Sequence, residues 1–424
     1  MVLHSLTAQS SGTVLYTESR FTRLSIADGL SQNSVETIFQ DYNGFMWFGT
    51  YDGLNRYDGY QFKHFRHDSQ NPHSLSSGMI TVIFEDSNKT LWIGTQGGGL
   101  NRYDSHSKRF KHFRHDLKDP NSLSHDHVTA IYQDASGVLW VGTQGGGLNQ
   151  FNDDQTQFNH FQHQQSVKGS LSHAIVRAIY EDKQGILWVG TDGGLNRFNR
   201  KTARFDHFVH QSANPKSLSH NSVYSIVEDN KGTLWLGTYG GGLNRFDAKT
   251  QSFTSFKHQT SDPDSLSNDK IRTMIRPSIT AKTFSESNST SLWIGTDDGL
   301  NRFDANSQQF VHYKHRSSDP HSLSNNGVHS IYQSKKGFVW VGTLAGGINK
   351  IDLKQQQFGH IKHQASNSES LSQDVVMSIF QDKNQTLWIG TFDAGLNQSL
   401  GLSKGKSKGF KHFTHNSHNP NSLG

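Results

Sequence analysis

The sequence carries twenty-five histidines in 424 residues. Many fall in F-x-H-F-x-H segments: His64 with His67, His112 with His115, His160 with His163, His207 with His210, and His412 with His415. Imidazoles can hold a metal, but only if two of them converge. On a strand, residues i and i+3 point to opposite faces, so a recurring pair of this kind reads as framework. There is no cysteine, which excludes disulfides, zinc–thiolate centres and a cysteine nucleophile together. No P-loop, G-x-S-x-G elbow or H-E-x-x-H motif occurs, and no cofactor is expected. A net charge of +5 spread over this length is not a nucleic-acid footprint. No apolar run approaches the length of a membrane-spanning helix.

Chemistry is better sought at positions that vary inside a constant frame. Two such sets stand out. One follows a G-T dipeptide: Tyr51, Gln96, Gln144, Asp192, Tyr239, Asp297, Leu344 and Phe392. The other follows the first aliphatic residue of a β-rich run: Glu36, Thr81, Thr129, Arg177, Tyr224, Arg272, His329 and Met377. Aromatics, amides, acids and arginines suit a small polar, ring-shaped ligand such as a sugar, with aromatic faces stacking and polar groups fixing orientation. The candidate ligand-binding residues are Tyr51, Gln96, Gln144, Arg177, Asp192, Tyr224, Tyr239, Arg272, Asp297, His329 and Phe392. A glycosidase or lyase would need two carboxylates at a set separation. Asp192 and Asp297 are the available pair, in units two apart. A third reading is a platform that binds protein across a whole face.

The frame is a repeat. All eight tryptophans (Trp47, Trp92, Trp140, Trp188, Trp235, Trp293, Trp340, Trp388) recur at spacings of 45, 48, 48, 47, 58, 47 and 48 residues. Each copy holds four short runs rich in β-branched and aromatic residues; in the first copy they are Val35–Gln40, Phe45–Thr50, Leu54–Asp58 and Gln61–His67. Four antiparallel strands in this length make a propeller blade, so the expected fold is an all-β propeller. Asp-x-x-Gly turns, as at Asp41–Gly44, join the first two strands, with Asp bonding its own backbone and Gly supplying positive φ. Six of the seven prolines lie in the connector after the fourth strand. The leucine of each S-L-S, from Leu75 to Leu371, is expected to plug the gap between blades. Between Arg276 and Leu292 one repeat is about ten residues longer, which reads as a surface insertion.

There are nine candidate fourth strands for eight sets of the other three, the extra one being Phe21–Ile26. If it completes the blade of Trp388, eight blades close; if it completes that of Trp340, seven close and one is left over. Eight are favoured, because no half-built blade is then exposed. The expected layout is a disordered segment at 1–19, the propeller at 20–415, and the start of a further repeat, cut off, at 416–424.

The stretch GLSQNSVETIFQDYNGFMWFGTYDGLNRYDGYQFKHFRHD resembles the two-component regulator propeller repeat, in eight copies from Phe21 to His415. The Asp-x-x-Gly turns also bear some likeness to the structural Asp-box hairpin of sialidase propellers. The resemblance to the regulator repeat implies the extracytoplasmic, periplasmic-side sensor part of a membrane-bound signalling protein. Its ligands would be polysaccharide fragments or other small polar molecules. It also implies a downstream β-sandwich, membrane helix and kinase or diguanylate cyclase output, none of which this chain contains. Membrane attachment would come only through those segments, and the full-length protein could pair as a homodimer. Catalysis is expected to lie outside these residues.

Overall fold

The computed structural model describes residues 21–152, 157–277, 291–352, 361, 363, 367–403, 406–407 and 409–423. The segment expected to be disordered, 1–19, and most of the long insertion lie outside them.

Among the described residues eight four-stranded antiparallel sheets form, six of them built from strands consecutive in the chain. In blade 1 the strands are Val35–Gln40, Met46–Thr50, Gly53–Tyr57 and Phe62–Phe65. Asp41 closes the first hairpin: its Oδ1 accepts from the Phe45 amide at 2.9 Å, and Oδ2 accepts from Trp47 Nε1 at 2.8 Å. The same aspartate–indole bond recurs at Asp86, Asp134, Asp182, Asp229 and Asp382. The turn thus anchors the tryptophan that the next blade covers.

The described residues form two compact units, one within Ser19–Lys354 and the other within 355–424. In the first, each blade's first strand neighbours the first strand of the next, and that of blade 7 returns to that of blade 1. The first strands therefore surround the axis. Closure comes from Thr22–Leu24, which pairs with Gly347–Asp352 in the blade of Trp340. This corrects the preference for an eight-membered ring: the N-terminal strand closes seven blades, so the ring does not run to 415. In the sheet of Trp388, Phe410–Phe413 occupies the fourth place. The seam between blades 7 and 1 has its own fastenings. Lys335 N donates to Gln40 Oε1 at 2.7 Å, Ser330 Oγ to Val35 O at 3.2 Å, and Gly347 N to Asn33 O at 2.8 Å.

Apolar clusters lie between blades. Trp47, Leu54 and Leu75 pack with Ile80, Ile83, Leu91 and Tyr103 of blade 2. Leu75 is fully buried there, as expected of a gap-filling residue. The glycine of each G-T lets the blades approach: a Cβ on Gly142 would lie 2.5 Å from Val176 Cγ1 of the next blade. A polar knot ties connector to sheet. Asn101 Oδ1 accepts from Ser76 N at 3.0 Å, its Nδ2 donates to Ser76 Oγ at 2.7 Å, and Thr95 Oγ1 lies 3.4 Å from that hydroxyl. These groups are buried and mutually satisfied, which is what makes their burial tolerable.

The histidine pairs are framework. His112 Nε2–H donates to Ser74 O at 2.7 Å and His115 Nδ1–H to Leu123 O at 2.8 Å, with equivalents round the ring. A carbonyl only accepts, so it fixes each tautomer.

Two buried side-chain polar atoms have no partner among the described residues, Trp340 Nε1 and Glu228 Oε1. The first marks a departure from the repeat; the second lies at a position that is Gln in some copies and Glu in others. Ser334 stands where other blades have the tryptophan-binding aspartate. Glu228 stands where Gln40 and Gln133 donate Nε2 to their turn glycine at 2.9 Å, which a carboxylate cannot do. Ser334→Asp should therefore raise thermal stability by about 1–2 kcal/mol, the scale of a hydrogen bond to a charged acceptor. Glu228→Gln should gain about 1 kcal/mol. Calorimetric melting of each variant against the parent checks both, and a lowered midpoint would count against this account.

Candidate functional site

In every sheet the register slips at the second residue of the first strand, between Val35 and Thr37 in blade 1 and between Val176 and Ala178 in blade 4. The residue skipped by the ladder is the variable one: Glu36, Thr81, Thr129, Arg177, Tyr224, Arg272 or His329 in the ring. A bulge leaves its residue unpaired and re-aims the side chain. On the innermost strand that sends it to the mouth of the central channel. Glu36 and Arg272 feel each other's charge although blade 7 lies between them, as do Arg177 and Arg272 across blade 5.

Blades 4 to 6 bring the two variable sets together. Arg177 grips Asp192 with Nε at 3.1 Å and Nη2 at 2.8 Å. Ser222 Oγ of blade 5 donates to Asp192 Oδ1 at 2.5 Å. The Arg177 guanidinium lies 4.8 Å from the centre of the Tyr224 ring, and Tyr224 stacks on Tyr239 with centroids 5.0 Å apart. Arg272 lies 5.1 Å from the Tyr239 centre, donates Nη2 to its hydroxyl at 3.2 Å and pairs through Nε with Asp297 at 2.5 Å. Tyr239 in turn donates to Asp297 Oδ2 at 3.1 Å. The result is a cation–ring–ring–cation stack with a carboxylate at each end.

The expectation that these tyrosine faces would stack on a ligand needs correction, since the tyrosines and arginines already cover one another. What stays open is the Tyr224 hydroxyl and Nη1 of both arginines, which have no hydrogen bond to a described residue.

Blades 7 and 1 hold a second group. His329 Nδ1 lies 2.5 Å from Glu36 Oε1. Burial works against the Glu36 carboxylate, but the bond and charge of His329, with Tyr51 and Arg272, hold its pKa below the ordinary glutamate range. Burial, then the bond to Glu36, pushes the Tyr51 phenol up to about 12. Asp192 behaves like Glu36: burial opposes its charge, and the bonds from Arg177 and Ser222 outweigh it and lower its pKa.

The remaining candidates stand apart. In blades 2 and 3, Thr81 and Thr129 donate their hydroxyls to the next blade's Val128 and Val176 carbonyls at 2.6 Å. Gln96 and Gln144 flank them without side-chain hydrogen bonds to described residues. Leu344 of blade 7 is exposed. Phe392 is also exposed, but in the second compact unit, so the structure does not join it to the ring's mouth. Ser222 was missed by the sequence reasoning. The residue just before the first strand also varies among blades, which was the available signal.

The lowered pKa values set a sign. A carboxylate whose pKa is depressed on folding contributes stability above its unfolded pKa, lost as pH falls through the folded value. Ring stability should therefore drop as pH falls below about 4.5. Asp192→Asn and Glu36→Gln should each flatten that acid limb in melting curves recorded from pH 7 down to pH 3.

Comparison with known proteins agrees with this architecture. The model of the two-component regulator propeller matches residues 29–52, 74–97, 122–145, 170–193, 217–240, 322–345 and 370–393. These are the first two strands and flanking turns of blades 1 to 5, blade 7 and the eighth sheet. A histidine kinase, P4, of Formosa agariphila is 44% identical over 72 residues, covering 17% of this chain and 5% of the kinase. The extracellular domain of a hybrid two-component system of B. thetaiotaomicron aligns with 30% identity and a TM-score of 0.75, over 93% of this chain and 49% of that one. The extracellular domain of a one-component system of the same organism shares the fold at 20% identity and a TM-score of 0.63, over 93% of this chain and 54% of that one. The chain spans about half the length of these solved relatives. Among its described residues no helix is long and apolar enough to cross a membrane. The chain is thus a β-propeller protein that carries the two-component regulator propeller repeat at seven positions.

Proposed function

We propose that the seven-bladed ring is the extracytoplasmic, ligand-sensing part of a two-component signalling protein. The ligand is an oxygen-rich polar molecule, best a polysaccharide fragment, held at the channel mouth. The observation that carries this is the bulge. In every blade it frees one innermost-strand residue from the ladder, and in blades 4 to 6 those residues join into one network from Asp192 to Asp297. Each arginine there is matched by a carboxylate. The mouth is therefore rich in directed donors but carries little net charge, which suits hydroxyls better than a strong anion.

The glycosidase alternative is weaker on the same geometry. Asp192 and Asp297 are each committed to an arginine, and the pKa of Asp192 moves down, away from that of a general acid. Output catalysis, periplasmic location and pairing of the full-length protein belong to the longer protein of which such a ring is a part. Binding would act by favouring one of two conformations of that assembly.

Titration calorimetry against a panel of plant and fungal oligosaccharides tests the reading, with chromatography of each mixture afterwards. At least one sugar should bind unchanged, and Arg272→Ala should weaken it about tenfold or more. Lys63→Ala on the rim should have no effect. Cleaved product would favour the enzyme, and binding indifferent to Arg272 would remove the ligand from the mouth.

A further inference from the structure

A second set of side chains borders the mouth in blades 3, 4 and 5. Two residues after the buried connector leucine, six of the seven ring blades carry an acceptor for a backbone amide two positions on. Asn268 accepts from Lys270 N and Asn325 from Gly327 N, both at 2.8 Å, and Gln32 does the same for Ser34. In three consecutive blades the acceptor is an imidazole. His125 Nδ1 accepts from His127 N at 3.0 Å, His173 Nδ1 from Ile175 N at 3.1 Å, and His220 Nδ1 from Ser222 N at 3.1 Å. An amide oxygen does this job as well, so the turn does not explain the histidines. What they add is chemistry. With Nδ1 accepting, each neutral ring carries its proton on Nε2. None of the three Nε2–H groups donates to a described residue.

Their placement ties them to the mouth. A Cβ on Gly145, next to Gln144, would lie 3.1 Å from the His125 ring. One on Gly193, next to Asp192, would lie 2.8 Å from His173 Cβ, and one on Gly240, next to Tyr239, 3.4 Å from His220 Nε2. Each histidine therefore lies against the residue that follows a mouth residue of its own blade. His127 bridges the two sets: burial, then the charges of His125 and Arg177, pushes its imidazole pKa down. His173 likewise contributes to the field at Asp192.

We infer that His125, His173 and His220 form an outlying row of subsites that extends the channel mouth across blades 3 to 5 and takes the further units of a chain-like, oxygen-rich ligand. This rests on the mouth being the ligand site. Three N–H donors set blade by blade match acceptor oxygens repeated along an oligosaccharide, and a single small molecule at the axis would not use them. Chain length is then a specificity determinant: the mouth holds one end, and the row reads the extension.

The test uses disaccharides and hexasaccharides of the cello, xylo, manno and laminari series. It compares the parent with the triple variant His125→Asn, His173→Asn and His220→Asn. Asparagine keeps the turn bond, as Asn268 and Asn325 do, so an unchanged melting point is the folding control. Histidine ring nitrogen resonances of the parent report the row directly. The expected result is a hexasaccharide that shifts the three Nε2 signals and binds the triple variant about tenfold or more weakly. The matching disaccharide should bind both proteins alike. A hexasaccharide that depends on Arg272 yet leaves the three rings and the triple variant unaffected overturns the row and spares the mouth. Absence of binding across the whole panel overturns both. As a converse check, Asn268→His in blade 6 should not weaken any binding seen.

Discussion

A four-stranded sheet of this sequence has two apolar faces and can bury them only against its neighbours. The rest of the structure follows from that constraint. Tryptophan from one blade, the third-strand aromatic and first-strand aliphatics of the next, and the connector leucine fill one cluster per junction. The G-T glycine makes the approach close enough: Val176 packs where a Cβ of Gly142 would sit. Such an array is satisfied only when the last junction is made. Here it lies between blades 7 and 1, where Thr22–Leu24 supplies the missing strand of blade 7 and the chain then runs past Leu30 into blade 1. Trp340, Ile348, Val35, Ile38 and Phe48 form the cluster that shuts it. The eighth sheet shows the contrast. Its first strand is exposed throughout, with Ile379 65% exposed where Ile38 is 6%.

A frame this uniform leaves little room for recognition except where the repeat stops repeating. The bulge provides such a place without disturbing the core, because the residue it displaces makes no ladder pair. The charges placed there are matched within a blade, Arg177 with Asp192 and Arg272 with Asp297, and hydroxyls of blade 5 join them, Ser222 to Asp192 and Tyr239 to Arg272. Matched charges hold each other in place, so a ligand would meet donors already oriented, with little ordering left to do. The mouth is also lopsided. Blades 4 to 6 are aromatic and charged, blades 7 and 1 carry the Glu36–His329 pair, and blades 2 and 3 turn their threonines to the neighbouring backbone. A sevenfold frame thereby acquires a direction.

Much of this was legible in the amino-acid sequence, and the limits have physical causes. Tryptophan spacing gave the blades, strand patterning gave their four strands, and Asp-x-x-Gly gave the first hairpin. The i, i+3 argument kept the histidine pairs in the framework, where carbonyl acceptors hold them. Tyr224, Tyr239, Arg177 and Arg272 were visible as variable residues, but their stacking on one another was not. It depends on side chains from blades 4, 5 and 6 meeting at the axis. The asparagine that follows Leu or Ile in the third strand recurs in every copy, yet its bond to a connector serine about 25 residues earlier has no sequence signature.

What the sequence determined by itself is local and periodic: the sheet, its turns, its buried face, and the positions at which copies differ. Those follow from alternation and turn chemistry within one repeat. The tertiary structure decided which copies close the ring and which variable residues share a site. Nine nearly identical strands compete for eight places, and a local pattern cannot rank them. The choice lies with the curvature set by inter-blade packing, which brings blade 7 against blade 1 and closes seven copies into the ring.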